Sequence, residues 1–244
     1  MPYDYISPGL VTAYDADRFF PDRIEGDPKL VPWEHMRKND PHKWYCDRSM
    51  PTAGFINADE TAILYNTALQ FAGKPGLEIG VLFGWSTWHL VNAGVQLTTV
   101  DPLLRNKLCW EKVTSAVPAE EVTWLAEESP AAIYRRGTRK WNFIFIDANH
   151  DAPHPLLDTV AAERQAADDA LIMFHDIIAP DVFDAVRYLM WKGWRILLYN
   201  TSQIMAVAWR GNVEPIHHWA DPAIKALRLP AHLQQIRFGI DLFV

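Results

Sequence analysis

Two short segments concentrate the side chains able to hold a cation or move a proton. Asp147, Asn149, His150, Asp151 and His154 lie close together, and His175-Asp176 follows further along. Each group comes directly after an apolar run, Phe143-Ile-Phe-Ile146 in the first case and Leu171-Ile-Met-Phe174 in the second. If both runs are strands of one parallel sheet, their carboxyl ends deliver Asp147 and Asp176 to one edge, where such sheets bind ligands. A divalent cation is the natural partner of converging carboxylates. Hard oxygen ligands suit Mg²⁺ or Mn²⁺, and an imidazole shifts preference toward Mn²⁺, Fe²⁺ or Zn²⁺. The plainer alternative is that Asp176 caps the next turn and His175 bonds locally. A histidine such as His150, with an ordinary pKa near 6.5, suits proton transfer near neutral pH. It would otherwise do no more than order Asp147. His154 and Asp158 read as helix-capping or supporting residues.

A second constellation precedes these. Glu78-x-Gly80-x-x-x-Gly84-x-Ser86 lies where an apolar run gives way to a helical pattern. Glycines permit positive φ and close backbone approach, and the helix start beyond them offers free N–H groups. Glu78 is placed to hold a cationic amine. Asp101 ends the next apolar run, the position at which an acid grips ribose hydroxyls. The pair of signals fits an adenosine bearing an amino-acid tail better than a nicotinamide dinucleotide. Leu82 stands where a dinucleotide turn has its middle glycine.

These residues need a scaffold, and the hydrophobic pattern supplies one. A helix is expected from Asn57 or Asp59 to Phe71, opened by the capping box Asn57/Glu60. Strands are expected at 76–81, 97–101, 122–126, 141–147 and 170–176. Helices are expected at 86–91, 103–117, 131–136, 155–167 and 182–192. Alternating strands and helices make a parallel sheet covered on both faces. Trp194–Tyr199 and Ile204–Trp209 are joined by Asn200-Thr201-Ser202-Gln203 alone, too short for a parallel crossover, so this last pair must be antiparallel. The expected fold is α/β and Rossmann-like. Its mostly parallel seven-stranded sheet ends in an antiparallel hairpin, the class I methyltransferase topology. Residues 1–55 read as an irregular arm or lid with a short helix near Trp33–Arg37, 56–210 as the nucleoside-binding domain, and 211–244 as an extension on the same domain.

The 244 residues carry a net charge of −7, with 49% hydrophobic and 22% charged residues. An acidic chain repels phosphate backbones, so nucleic acid is not expected as a partner. The local run Arg135, Arg136, Arg139, Lys140 reads as a solvated helix end. With two cysteines and no C-x-x-C, the chain fits a reducing compartment. No secretory leader and no membrane-spanning stretch are read, so a cytoplasmic location is expected. Eleven tryptophans are spread along the chain, as core filler, ring-stacking surfaces or interface anchors.

Glu78-Ile-Gly-Val-Leu-Phe-Gly-Trp-Ser86, Thr99-Val-Asp101, Glu128-Ser129, Phe145-Ile-Asp-Ala-Asn-His150 and Phe174-His-Asp176 together resemble the class I S-adenosylmethionine-dependent methyltransferases. They are most similar to the macrocin-type sugar O-methyltransferases and cephalosporin hydroxylase-like proteins. The resemblance runs from about Asn57 to Trp209. It implies S-adenosylmethionine as cofactor, with Glu78, Gly80, Gly84 and Ser86 at its methionine part. Asp101 would take the ribose, and Glu128 and Ser129 would flank the adenine, with Asp147 nearby. It also implies a metal, Mg²⁺ or Mn²⁺, on Asp147 and on the pair His175-Asp176, where the family carries two acids. His150 would be the general base. The activity implied is O-methylation of a small hydroxylated acceptor. The alternatives left open are a metal-free N-methyltransferase and a non-methylating protein of the same fold. An N-terminal arm of this kind is also a candidate contact between copies in a homo-oligomer.

Overall fold

The computed structural model describes residues 4–37, 42–225, 227–234 and 240–242. Its centre is a sheet whose strands are β1 (Pro75–Ile79), β2 (Gln96–Val100), β3 (Thr123–Leu125), β4 (Trp141–Ile146), β5 (Ala166–Phe174), β6 (Arg195–Tyr199) and β7 (Met205–Arg210). An eighth strand, β8 (Ile240–Leu242), adds to the edge. The order is β8-β6-β7-β5-β4-β1-β2-β3. β1 through β5 run parallel, while β7 is antiparallel to both β5 and β6. The expected seven strands and terminal hairpin are therefore present. β8 extends them in parallel to β6.

The alternation of each central strand divides the core. Leu77, Ile79, Ile144, Ile146, Ile172 and Phe174 face one layer, while Phe143, Phe145, Leu171 and Met173 face the other. Successive side chains on a strand point to opposite faces. Because helices cover both faces, both sets are apolar and the strands read as continuous hydrophobic runs. Cutting one such fully buried side chain back to Ala costs about 3–5 kcal/mol for an aromatic ring. The covering helices are α1 (Ala58–Leu69), α2 (Trp85–Asn92), α3 (Lys107–Ala116), α4 (Ala131–Tyr134), α5 (His154–Arg164) and α6 (Pro180–Trp191). α5 and α6 pack with the first layer, and α1 and α2 with the second.

The structure departs from the sequence-based elements in three places. The helix expected from residue 103 is broken. One 3₁₀ turn, Pro102–Arg105, is followed by α3, because the Asn106 side chain accepts from Leu108 N–H and starts a new helix. β5 begins at Ala166, within the expected helix, and α5 ends at Arg164. The N-terminal arm is not irregular. It folds a three-stranded antiparallel sheet from Arg23–Glu25, Tyr45–Asp47 and Met50–Phe55. Its helix is Ala16–Phe19, and none forms at Trp33–Arg37. Pro51, Gly54 and a shift in register at Cys46/Asp47 erase the period-two signal there.

Polar contacts tie the arm and the C-terminal extension to the domain. Ser7 N–H of the arm donates to Asp59 Oδ1 at 2.8 Å, and His218 Nε2 of the extension meets Asp59 Oδ2 at 2.8 Å, both buried. Lys112 Nζ reaches the arm's exposed Asp22 and buried Asp47, each at 2.8 Å. No helix among the described residues is long and apolar enough to cross a membrane. In the basic run, Arg135 pairs with Glu127 and Arg139 lies 4.7 Å over the Trp141 ring.

Candidate active site

Backbone pairing continues just past the strand ends and aligns the residues that follow. Gly80 N–H donates to Val100 O, Asp101 N–H to Leu125 O, Asp147 N–H to Ile79 O and His175 N–H to Ile146 O. Four adjacent strands thus present Asp101, the glycine turn, Asp147 and His175 side by side along the carboxyl edge.

Every second residue of the glycine turn is left-handed. Gly80, Leu82 and Gly84 have φ of 95°, 49° and 85°. A Cβ on Gly80 would collide with the Asp147 backbone carbonyl, so this glycine lets the turn seat against the end of β4. Leu82 adopts the same φ sign at a steric cost, a feature concentrated at functional sites. Asp101 holds the turn in place. Its Oδ2 accepts from Val81 N–H at 2.8 Å and Leu82 N–H at 2.9 Å, and its Oδ1 accepts from Leu103 N–H at 2.8 Å. A carboxylate offers about four acceptor sites, so capacity for a hydroxyl donor remains.

Glu78 projects from β1 into the layer of α1 and α2. It is fully buried, and Thr87 Oγ1 donates to its Oε2 at 2.7 Å. Its Oε1 is buried with no hydrogen-bond partner. Burial pushes its carboxyl up to about 8, although the hydroxyls of Ser86 and Thr87 pull it down. The first-turn N–H groups of α2, like those of any helix, have no intrahelical partner, and Gly84 at the cap offers them no side-chain acceptor.

The other half of the edge is a dense charge cluster. His175 Nδ1 lies 3.0 Å from Asp176 Oδ2 and 3.7 Å from Asp147 Oδ1. His150 Nε2 lies 3.5 Å from Asp147 Oδ1 and 3.3 Å from Asp176 Oδ2. One ligand atom each from Asp147, His175 and Asp176 falls within 4.8 Å of the others. Neither His175 Nδ1 nor His150 Nε2 makes a well-directed hydrogen bond, although both are buried. Burial alone would lower His175, but Asp176, Asp147 and Glu60 together hold it well above its ordinary value. His150 is raised for the same reason, its desolvation outweighed by Asp176 and Asp147. Burial would raise Asp147, yet the two imidazoles depress it below the usual carboxylate range. Asp176 has φ of 52°, a strained value for a non-glycine residue. The capping alternative does not describe Asp176. α6 is preceded by Ala179 as N-cap with no side-chain cap hydrogen bond, and the Asp176 carboxylate faces the histidines instead.

The remaining expected residues are more dispersed. Glu128 is exposed, and Ser129 Oγ donates to Asp158 at the neighbouring helix α5. Asp158, buried, is pushed up to about 6 by desolvation. Asn149 accepts from Asp151 N–H within its own turn.

Two contributors, Glu60 and Arg37, carry no signal in the sequence pattern, and a third, Trp33, belongs to the arm expected to be a lid. Glu60, already accounted for by the capping box, places Oε2 3.1 Å from His175 Nε2 and accepts from Gln203 N–H at Oε1. Trp33 of the arm sets its ring edge-on to His150, with centroids 6.2 Å apart. Arg37 Nη1 donates to Thr201 O in the loop after β6. A polar run such as Asn200–Gln203 reads as a surface turn, yet all four residues are buried, and Gln203 N–H donates to Glu60.

The fold defined by this sheet is that of the class I methyltransferases. Residues 77–177 match a family described as a methyltransferase domain. No curated protein matches the sequence. Among solved structures, a provisionally assigned O-methyltransferase of Klebsiella pneumoniae superposes with a TM-score of 0.57 at 16% identity, covering 83% of this chain and 92% of that one. The O-methyltransferase TomG of Streptomyces achromogenes, involved in tomaymycin synthesis and solved with S-adenosylmethionine, gives 0.54 at 16% identity over 67% of this chain and 86% of its own. A provisionally assigned caffeoyl-CoA O-methyltransferase of Staphylococcus aureus gives 0.54 at 13% identity over 64% and 85%. Identities this low establish the shared fold. Fold and family match together support an S-adenosylmethionine-dependent methyltransferase.

Both groups that such an enzyme would hold fit the residues present. The unpartnered Oε1 of buried Glu78 and the uncapped start of α2 suit a ligand carrying both an ammonium and a carboxylate. The Nδ1 of His175, facing two carboxylates without a well-directed hydrogen bond to either, suits a divalent cation.

Proposed function

We propose that the protein is a divalent-metal-assisted O-methyltransferase that moves the methyl group of S-adenosylmethionine to a hydroxyl of a small molecule, a sugar or a natural product. The observation that carries this reading is the meeting of two half-sites. The glycine turn is seated on the backbone of Asp147, and the side chain of the same Asp147 belongs to the cluster with His175, Asp176 and His150. The motif resemblance to the macrocin-type enzymes supports the same assignment.

In this reading Glu78 holds the amino end of the cofactor, and the N–H groups at Ser86 and its neighbours face its carboxylate. Gly80 and Gly84 shape the turn around it. Asp101 adds a ribose hydroxyl to the three N–H groups it already accepts, and Glu128 and Ser129 flank the adenine. S-Adenosylmethionine supplies an electrophilic methyl on a sulfonium centre, and a cation on Asp147, His175 and Asp176 supplies Lewis acidity at the acceptor hydroxyl. His150 Nε2, at the border of that cluster, takes the hydroxyl proton. Much of the rate then comes from alignment, since methyl transfer is in-line and the reacting groups are fixed in place. Trp33 covers His150 from the arm, which makes the arm a lid over the acceptor.

A second reading, metal-free transfer, draws on the same cluster, because His150 and His175 can balance the two aspartates without a cation. The two are separated by following S-adenosylhomocysteine formation with a panel of hydroxylated and amine acceptors, with Mn²⁺ or Mg²⁺ and with EDTA. Turnover on a hydroxyl that EDTA abolishes and metal restores supports the proposal. EDTA-resistant turnover, or transfer to amines alone, contradicts it.

A further inference from the structure

We propose that Glu60 is a positioning residue for the metal centre. It fixes His175 so that Nδ1 faces Asp147 and Asp176 while Nε2 is held from behind. This rests on the metal reading of the cluster and adds a residue from α1, outside the segment that matches the methyltransferase domain.

The two nitrogens of His175 face opposite ways. Nδ1 lies toward the carboxylates of Asp176 and Asp147, and Nε2 lies 3.1 Å from Glu60 Oε2. A cation held by Asp147 and Asp176 would take the Nδ1 lone pair, and the one proton of the neutral imidazole would then stay on Nε2, where Glu60 accepts it. A carboxylate behind a metal-bound histidine both sets the tautomer and strengthens the ligand. Glu60 is itself immobilised. It is 1% exposed, Gln203 N–H donates to Oε1 at 2.9 Å, and Asn57 N–H donates to Oε2 at 3.3 Å. A capping glutamate on a helix surface is ordinarily solvated. Burying this one places a fixed carboxylate behind the one imidazole of the Asp147, His175 and Asp176 set.

The link extends to the arm. Gln203, which holds Glu60, lies in the loop whose Thr201 carbonyl accepts from Arg37. The imidazole that stands beside Asp176 therefore has a dedicated support, which two adjacent acids would not need.

The test is Mn²⁺ affinity of the full-length protein, read by calorimetry and by the electron paramagnetic resonance signal of free Mn²⁺. Glu60→Gln keeps the shape and removes the charge. It should weaken Mn²⁺ by about 10–100-fold, the usual effect of losing such a support, and leave S-adenosylmethionine affinity within about twofold. Asn57→Ala removes the side-chain oxygen that accepts from Glu60 N–H but keeps the backbone N–H that donates to Oε2 and the contact with His175, and should leave Mn²⁺ affinity near wild type. In a His175→Asp background, Glu60→Gln should no longer weaken Mn²⁺, because no imidazole remains to orient. In the Zn²⁺-loaded wild type, ¹H–¹⁵N correlation spectra should place the His175 proton on Nε2. Wild-type Mn²⁺ affinity in Glu60→Gln, equal loss in Asn57→Ala, equal loss in both backgrounds, or a proton on Nδ1 would each overturn the inference. If the wild type itself takes up no Mn²⁺, the metal reading falls with it.

Discussion

Glu60 and Glu78 stand at the two halves of one sheet edge, and both are buried to 1% exposure or less. Their carboxyls respond in opposite directions. Desolvation raises both, but at Glu60 it is outweighed by His175 and by donated hydrogen bonds, and the group is lowered. Glu78 has hydroxyl donors and no cation, and it rises to about 8. Burial alone therefore does not set the state of a carboxylate. The partner does. In the metal half of the edge each carboxylate meets an imidazole, whereas in the cofactor half Glu78 is left wanting a positive group. An ammonium-bearing ligand would supply it, and would draw the Glu78 proton off on binding.

Four substitutions break or sharpen that contrast. The largest effect is expected from His150→Ala, which should lower kcat by about 10²–10⁴-fold, the usual contribution of a general base. S-Adenosylmethionine affinity should hold, and equal loss of both would point to misfolding. His175→Ala comes next. It strands Glu60 as an uncompensated buried charge, which costs about 3–5 kcal/mol. Denaturant unfolding at pH 7 should show that loss. Because the folded pKa of Glu60 lies below 4.5, the stability it contributes with His175 present is available above pH 4.5 and is lost as pH falls below it. The variant should therefore lose its deficit on acidification.

Glu78→Gln should act with the opposite sign. The folded pKa of about 8 exceeds the unfolded 4.5, so folding retains a proton that the unfolded chain releases. Wild-type stability of the ligand-free protein must then fall as pH rises from about 4.5 to 8, by an amount on the order of a few kcal/mol. Glu78→Gln should flatten that part of a Tm-against-pH curve while weakening S-adenosylmethionine about 10–100-fold through loss of a charged hydrogen bond. An unchanged slope would contradict the contrast. The smallest effect belongs to Trp33→Ala. If the arm closes over the acceptor, KM for acceptor should rise several-fold, with little change in cofactor affinity.

Where a residue had one structural job, its place was legible from sequence. The central strands announce themselves because both faces are apolar, and the four-residue link after β6 forces the antiparallel hairpin. Asp147, His150, His175 and Asp176 could be placed on one edge because each directly follows such a strand. Residues with two jobs were not legible. Glu60 satisfied a capping box, which left nothing unexplained in the pattern, and its contact with His175 spans 115 positions. Asn200–Gln203 has the composition of an exposed turn, and only tertiary packing buries it. Asp101 was readable as an acid at a strand end, but not as the acceptor that pins Val81 and Leu82. The short strands of the arm pair across intervening loops, with Pro51 and Gly54 in the last of them, so no local period marks them.

The most direct test of the two-half account is calorimetric titration of the metal-free protein, first with S-adenosylmethionine and then with Mn²⁺, on wild type and Asp176→Asn. The account predicts cofactor heat in both proteins and Mn²⁺ heat in the wild type alone. Cofactor heat without any Mn²⁺ heat in the wild type would contradict the metal half, and absence of cofactor heat under all conditions would contradict the methyltransferase reading itself.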